Sequence, residues 1–137
     1  MRVIVIDGQG GGLGRSLVEK LVPIVGNGHR LTVYGTNSMA TVAMLKAGAN
    51  EGATGENAIV VGAAQADIIV GAVGILLADS MLGELTPSMA RAIADSRGTK
   101  VLVPLNRCGV VVAGVSPEKT VAQLVTDAAE TVACMLK

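Results

Sequence analysis

The feature of this sequence that most constrains its fold is a glycine-rich loop between a predicted strand and a predicted helix. Residues 2–6 are mostly β-branched and apolar, which is typical of a strand buried on both faces. The loop Asp-Gly-Gln-Gly-Gly-Gly-Leu-Gly follows at residues 7–14, and apolar residues then recur at helical spacing as far as Val25. Such a unit presents backbone amides and the positive end of a helix dipole to an anion. The start of the chain therefore predicts a phosphate-binding loop.

Strand and helix patterns alternate along the rest of the chain. Further strands are predicted at residues 31–34, 68–70, 100–105 and 110–113. Helices are predicted at residues 38–47, 56–66, 87–96 and 117–137. Residues 58–61 also fit a short strand, and the helix at 56–66 is preferred because it preserves the alternation of strands and helices. The alternation predicts a single three-layer α/β domain, Rossmann-like, that spans residues 1–137. We expect a mostly parallel sheet of about five or six strands. The last strand would follow a hairpin and lie antiparallel at one edge.

Composition excludes several classes of partner. Eleven basic residues balance eleven acidic ones, and Tyr34 is the only aromatic residue. Neither charge nor aromatic stacking therefore favours nucleic acid or an anionic membrane as a partner. The longest apolar run, residues 68–78, is too short to cross a bilayer. Cys108 and Cys134 are far apart and form no CxxC pair, which favours a cytoplasmic location.

The glycine loop is similar to the cofactor loop of short-chain dehydrogenases. Gly8, Gly12, Leu13 and Gly14 match the pattern G-x-x-x-G-Φ-G, in which Φ is apolar. The dinucleotide pattern G-x-G-x-x-G fits less well from Gly8, because its third glycine falls at Leu13. The similarity ends at the loop. Short-chain dehydrogenases use a catalytic Tyr-x-x-x-Lys motif, but four residues after Tyr34 this chain has Ser38 in place of the lysine. No catalytic residue is predicted.

A nucleotide, most simply NADP or NAD, is the cofactor that these patterns favour. NAD-binding domains usually carry an acid after their second strand to bind the ribose hydroxyls. The sequence here is Gly-Thr-Asn-Ser at residues 35–38, which favours NADP, although helix capping alone also explains these residues. Small residues after the strand at 68–70 leave room for ligand. The predicted cofactor-binding residues are Gly8, Gln9, Gly10, Gly11, Gly12, Leu13, Gly14, Thr36, Asn37, Ser38, Ala72 and Val73.

Two other functions compete with nucleotide binding. One is a small-molecule enzyme or sensor whose acidic site, built from Glu56, Asp79 and Glu84, lies at an oligomer interface. The other is a structural partner-binding domain whose glycines serve packing alone. No metal site is predicted, because no histidine or cysteine lies near these acids in the sequence. A wide apolar stripe on the last helix predicts a homodimer or a higher homo-oligomer.

Four stretches give the chain a resemblance to a known family. They are residues 7–14, 35–38, 47–57 and 79–87, and the likeness extends over nearly the whole chain. The sequence resembles an uncharacterised bacterial family, mainly from clostridia-like anaerobes, that is known as a domain of unknown function. The resemblance implies a Rossmann-like fold. It implies no activity and no functional residue.

Overall fold

The computed structural model describes residues 1–105 and 109–137. Five strands form one sheet, and every neighbouring pair is parallel. The strands are β1 (Arg2–Asp7), β2 (Arg30–Gly35), β3 (Glu51–Thr54), β4 (Ile68–Ala72) and β5 (Thr99–Val103). The helices are α1 (Gly12–Val25), α2 (Ser38–Lys46), α3 (Glu56–Gln65), α4 (Pro87–Asp95) and α5 (Val121–Met135). The α/β class and the parallel sheet are confirmed, as is a helix instead of a strand in the segment 56–66.

The strand order is β3-β2-β1-β4-β5, a Rossmann-like arrangement with β1 at the centre. Val3 and Val5 face a core formed with α1, α2 and α5, whereas Ile4 and Ile6 face a second core formed with α3 and α4. Apolar side chains therefore leave β1 on both faces, which explains its continuous apolar sequence. The result is three layers, with helices covering both faces of the sheet.

The predicted antiparallel edge strand is wrong. Residues 110–113 form no strand, and Val111 is 78% exposed. Three consecutive valines form a strand only where they can pair with the edge of a neighbouring strand and bury one face, and this segment does neither. The turn predicted at residues 106–109 lies mostly outside the described residues.

Strand β3 and the start of helix α5 also differ from the predictions. Strand β3 occupies part of the glycine-rich stretch that the sequence left unassigned, and its residues are mostly exposed at the sheet edge. Helix α5 begins at Val121 instead of residue 117, because Thr120 caps it. The Thr120 hydroxyl accepts the Gln123 amide at 3.1 Å, and the Gln123 side chain accepts the Thr120 amide at 2.8 Å.

The apolar stripe of α5 is used within the chain. Val125, Ala128 and Val132 are buried, and Leu124 packs against the same core. The stripe therefore explains how α5 covers the sheet, although Val121 at its start is 48% exposed. The homodimer stays a prediction. Among the described helices, none is both long and apolar enough to span a membrane.

Candidate functional site

A cleft of about 600 Å³ opens at the carboxyl ends of β1 and β4. These two strands are neighbours, but the helices that follow them cover opposite faces of the sheet. The chain therefore diverges here and leaves a crevice, the usual ligand site of open α/β sheets. The cleft is lined by Asp7, Gly8, Gln9, Gly10, Gly11, Gly12, Leu13, Ser16, Ala72, Val73, Gly74, Ser80, Met81, Leu82, Leu105 and Val121.

Three glycines, spaced three residues apart, allow the loop to pack closely. A Cβ at Gly8 would lie 2.6 Å from Thr36 Oγ1, and one at Gly14 would lie 2.5 Å from Met44 Sδ. Gly11 has a φ of 74° and its backbone lies against α2. The packing therefore requires Gly8, Gly11 and Gly14. Gly12, which the sequence pattern included, has no neighbour that would meet an added Cβ within 4 Å.

The loop leaves three backbone amides available at the start of α1. The Gly14 amide donates to Asp7 Oδ2 at 2.7 Å, and the Gly11 amide donates to the Gly8 carbonyl at 2.9 Å. The amides of Gly10, Gly12 and Leu13 have no hydrogen-bond acceptor among residues 1–105 and 109–137. All three residues line the cleft. This arrangement suits an anion, because the positive end of the α1 dipole lies at the same place.

Asp7 lines the cleft, and one oxygen of its carboxylate caps helix α1. It is the last residue of β1 and only 7% exposed. Its Oδ2 accepts a hydrogen bond from the amide of Gly14, the third residue of α1. Helix α1 has no capping side chain of its own, because its N-cap residue is Gly11. The carboxylate thereby satisfies one of the unpaired amides of the first turn. The cap gives this acid a structural role beside the glycine loop.

Residues 77–86 lie between β4 and α4 in the chain and form a strap that crosses the glycine loop. Asp79, Met81 and Leu82 have φ values of 66°, 59° and 56°, a region that non-glycine residues rarely occupy. The strap is held by hydrogen bonds from Ser80 Oγ to the Gly74 carbonyl at 2.6 Å and from the Asp79 amide to the Leu85 carbonyl at 2.7 Å. Surrounding structure therefore stabilises a strained backbone next to the cleft, which is typical of functional sites.

Glu84 ties the strap to the ends of β1 and β2. Its Oε1 accepts the Thr36 hydroxyl at 2.6 Å, the Gln9 amide at 2.8 Å and the Asn37 side-chain amide at 2.8 Å. Donation by Thr36, and then by Gln9, holds the pKa of Glu84 below its ordinary value; Asn37 adds to this, and partial burial opposes it. Glu84 is therefore an oriented, ionised carboxylate at the tip of the sheet.

The structure brings most of the predicted cofactor residues together. Gly8 to Leu13 line the cleft, as do Ala72 and Val73, whereas Gly14 packs beneath it. Thr36 and Asn37 lie outside the cleft lining and bind Glu84. Asn37 is also the N-cap of α2 and accepts the Ala40 amide at 2.9 Å, so capping accounts for part of its role. Ser38 is the first residue of α2 and does not line the cleft.

Sequence reasoning missed the strap and its contribution to the cleft. Ser80, Met81 and Leu82 line the cleft together with Leu105 and Val121. One sequence feature could have indicated the strap: Met81 and Leu82 are apolar, although they lie in a segment predicted as neither strand nor helix. Glu84 was considered only as part of an acidic site.

No acidic metal site appears in the described part of the chain. Residues 1–105 and 109–137 hold no group of three His, Cys, Asp or Glu side chains that could bind a metal ion. Glu84 is committed to Thr36, Asn37 and Gln9. The alternative enzyme or sensor site built from Glu56, Asp79 and Glu84 at an oligomer interface stays a prediction.

Because the pKa of Glu84 is lowered in the folded chain, its contribution to stability should depend on pH. The contribution is fully present above the ordinary value of 4.5 and is lost as pH falls through the lowered value. We expect wild type to be more stable than Glu84→Gln near neutral pH, and we expect this gap to close as pH falls below the ordinary carboxyl value of 4.5 and through the lowered pKa. Urea unfolding of both proteins across this range measures it. A gap that is constant with pH contradicts the assignment of the carboxylate.

The sequence profile of one protein family, a domain of unknown function (DUF3842), matches residues 2–137. No curated protein matches the chain, and no solved structure does. The match covers the glycine loop, the strap and the other described residues that line the cleft. The resemblance noted from the sequence is thereby confirmed at the level of the family. The chain belongs to the DUF3842 family.

Proposed function

We propose that this domain binds a phosphate-bearing nucleotide, of the NAD(P) class, with its phosphates at the start of α1. The observation that carries the proposal is the set of amides of Gly10, Gly12 and Leu13, which line the cleft and have no acceptor in the described part of the chain. Phosphate oxygens are acceptors that several amides can share, and the dipole of α1 favours their charge.

The shape of the cleft agrees with a nucleotide. Its volume of about 600 Å³ lies within the range of about 300–1,000 Å³ that small-molecule sites occupy. Leu13, Val73 and Met81 provide apolar wall beside the amides, which suits a ring such as nicotinamide. Gly10 and Gly12 leave open space above the loop, since an added Cβ at either position would meet nothing within 4 Å.

The proposed role is binding and not catalysis. Asp7 is the one ionisable side chain among the described residues that line the cleft, and it caps α1. A general acid or base needs a titratable group within reach of the reacting atoms. A purely structural domain, the rival function, needs no open cleft beside unpaired amides.

Thermal unfolding in the presence of NAD⁺, NADP⁺, ATP and FMN tests the proposal. A ligand at 100 times its dissociation constant adds about 2.7 kcal/mol of stability. For a domain of this length we expect the melting temperature to rise by roughly 10 °C. Inorganic phosphate at millimolar concentration should compete with the nucleotide. No shift with any nucleotide would contradict the proposal and favour the structural domain.

A further inference from the structure

We propose that Glu84 makes the site select a dinucleotide whose adenosine ribose carries a free 2′-hydroxyl, and reject one with a 2′-phosphate. This inference rests on the proposed function and adds the specificity of the same site. In dinucleotide-binding domains an acid at the end of the second strand binds the ribose hydroxyls. Here Thr36 and Asn37 follow β2 and supply no acid.

The strap brings the missing acid to this position from a distant segment. Glu84 lies 48 residues after Thr36 in the chain, yet its Oε1 is 2.6 Å from the Thr36 hydroxyl. The same oxygen accepts the Gln9 amide, and Gln9 belongs to the glycine loop and lines the cleft. Glu84 does not itself line the cleft; its carboxylate lies beside the cleft, between the glycine loop and the end of β2. The adenosine ribose of a dinucleotide whose phosphates are bound at the loop would extend to this position.

A 2′-phosphate is disfavoured at this position for two reasons. The donors best placed to bind it are already engaged by Glu84, namely the Gln9 amide, the Thr36 hydroxyl and the Asn37 side chain. The carboxylate also repels a second anion at short range. Sites for a 2′-phosphate usually offer an arginine, and no arginine or lysine among residues 1–105 and 109–137 donates to Glu84, Thr36 or Asn37.

A ribose hydroxyl meets none of these obstacles. It can donate to the carboxylate, and Oε2 of Glu84 has no hydrogen bond from the described residues. The lack of an acid at residues 35–38, which favours NADP on sequence grounds, is thus compensated by a residue that the fold supplies.

Calorimetric titration of the full chain with NAD⁺ and NADP⁺ tests the inference. We expect wild type to bind NAD⁺ at least about tenfold more tightly than NADP⁺, and we expect that ratio to shrink at high salt. Glu84→Gln keeps the shape and removes the charge, so the ratio should fall to about threefold or less. Glu130→Gln, which removes an exposed acid on α5, is the matched control and should keep the wild-type ratio.

The outcomes separate this inference from the proposed function. Equal or tighter binding of NADP⁺ by wild type overturns the role of Glu84 and leaves nucleotide binding intact. A ratio that stays at the wild-type value in folded Glu84→Gln overturns it as well. If Glu84→Gln does not fold, the wild-type ratio and its salt dependence decide alone. If neither dinucleotide binds wild type, the proposed function fails, and the inference fails with it.

Discussion

Replacing Gly11 with alanine is expected to lower the free energy of unfolding by about 2–5 kcal/mol. The Gly11 backbone is left-handed, with a φ of 74°, where an alanine costs about 1–2 kcal/mol. An added Cβ would also lie 2.8 Å from Ala40 Cα and 3.1 Å from the Ala40 carbonyl oxygen. These are backbone atoms of α2 and cannot rotate away, so α2 must move from the loop. Overpacking of this kind costs about 1–3 kcal/mol more.

Urea unfolding of purified variants measures this effect, and Gly10→Ala is the matched control. An added Cβ at Gly10 would meet nothing within 4 Å, and its φ lies outside the left-handed region. We expect Gly10→Ala to stay within about 0.5 kcal/mol of wild type. If Gly11→Ala proves as stable as Gly10→Ala, the close contact between α2 and the glycine loop is wrong.

The elements that were predicted well are those whose sequence pattern depends on local burial. Strand β1 has apolar residues facing both cores, and Ile69 in β4 is fully buried. Helix α4 begins at Pro87 with Thr86 as its N-cap, because Thr86 Oγ1 accepts the Met89 amide at 3.2 Å. In each case neighbouring residues in the sequence determine the structure, so the pattern is sufficient.

The errors occur at the edges of the sheet, where burial gives no pattern. Strand β3 pairs with β2 through backbone hydrogen bonds, and the residues Glu-Gly-Ala-Thr carry no apolar alternation. Residues 110–113 show the reverse: their strand propensity is high, but they have no neighbouring strand to pair with. Propensity predicts a strand only together with the tertiary contacts that bury it.

The candidate site was half predictable for a similar reason. The glycine loop follows β1 directly, so its position at the carboxyl end of the central strand can be inferred from a contiguous segment. The partnership of Glu84 with Thr36 joins residues 48 positions apart, and it depends on a strap with left-handed backbone at Met81 and Leu82. No local pattern encodes that contact. The sequence consequently located the glycine loop and missed the acid beside it.

Replacing Gly12 with aspartate is expected to weaken nucleotide binding at least about a hundredfold while the domain stays folded. An added Cβ at Gly12 meets nothing within 4 Å, and Gly12 lines the cleft beside the amides that would hold phosphate. At about 4 Å, two like charges near a protein surface repel by roughly 4 kcal/mol. Stability should not fall, because an acid in the first turn of α1 interacts favourably with the helix dipole.

Two controls test whether the loss of affinity comes from the negative charge and whether that charge must lie in the cleft. Gly12→Asn adds nearly the same bulk without charge, so its affinity should lie between wild type and Gly12→Asp. Gly28→Asp adds the same acid in the turn before β2, at the opposite end of the sheet, where an added Cβ also meets nothing within 4 Å. Its affinity should match wild type. Titration calorimetry with the nucleotide that raises the melting temperature gives all three affinities. If folded Gly12→Asp binds as tightly as Gly28→Asp, the phosphates do not lie at the start of α1.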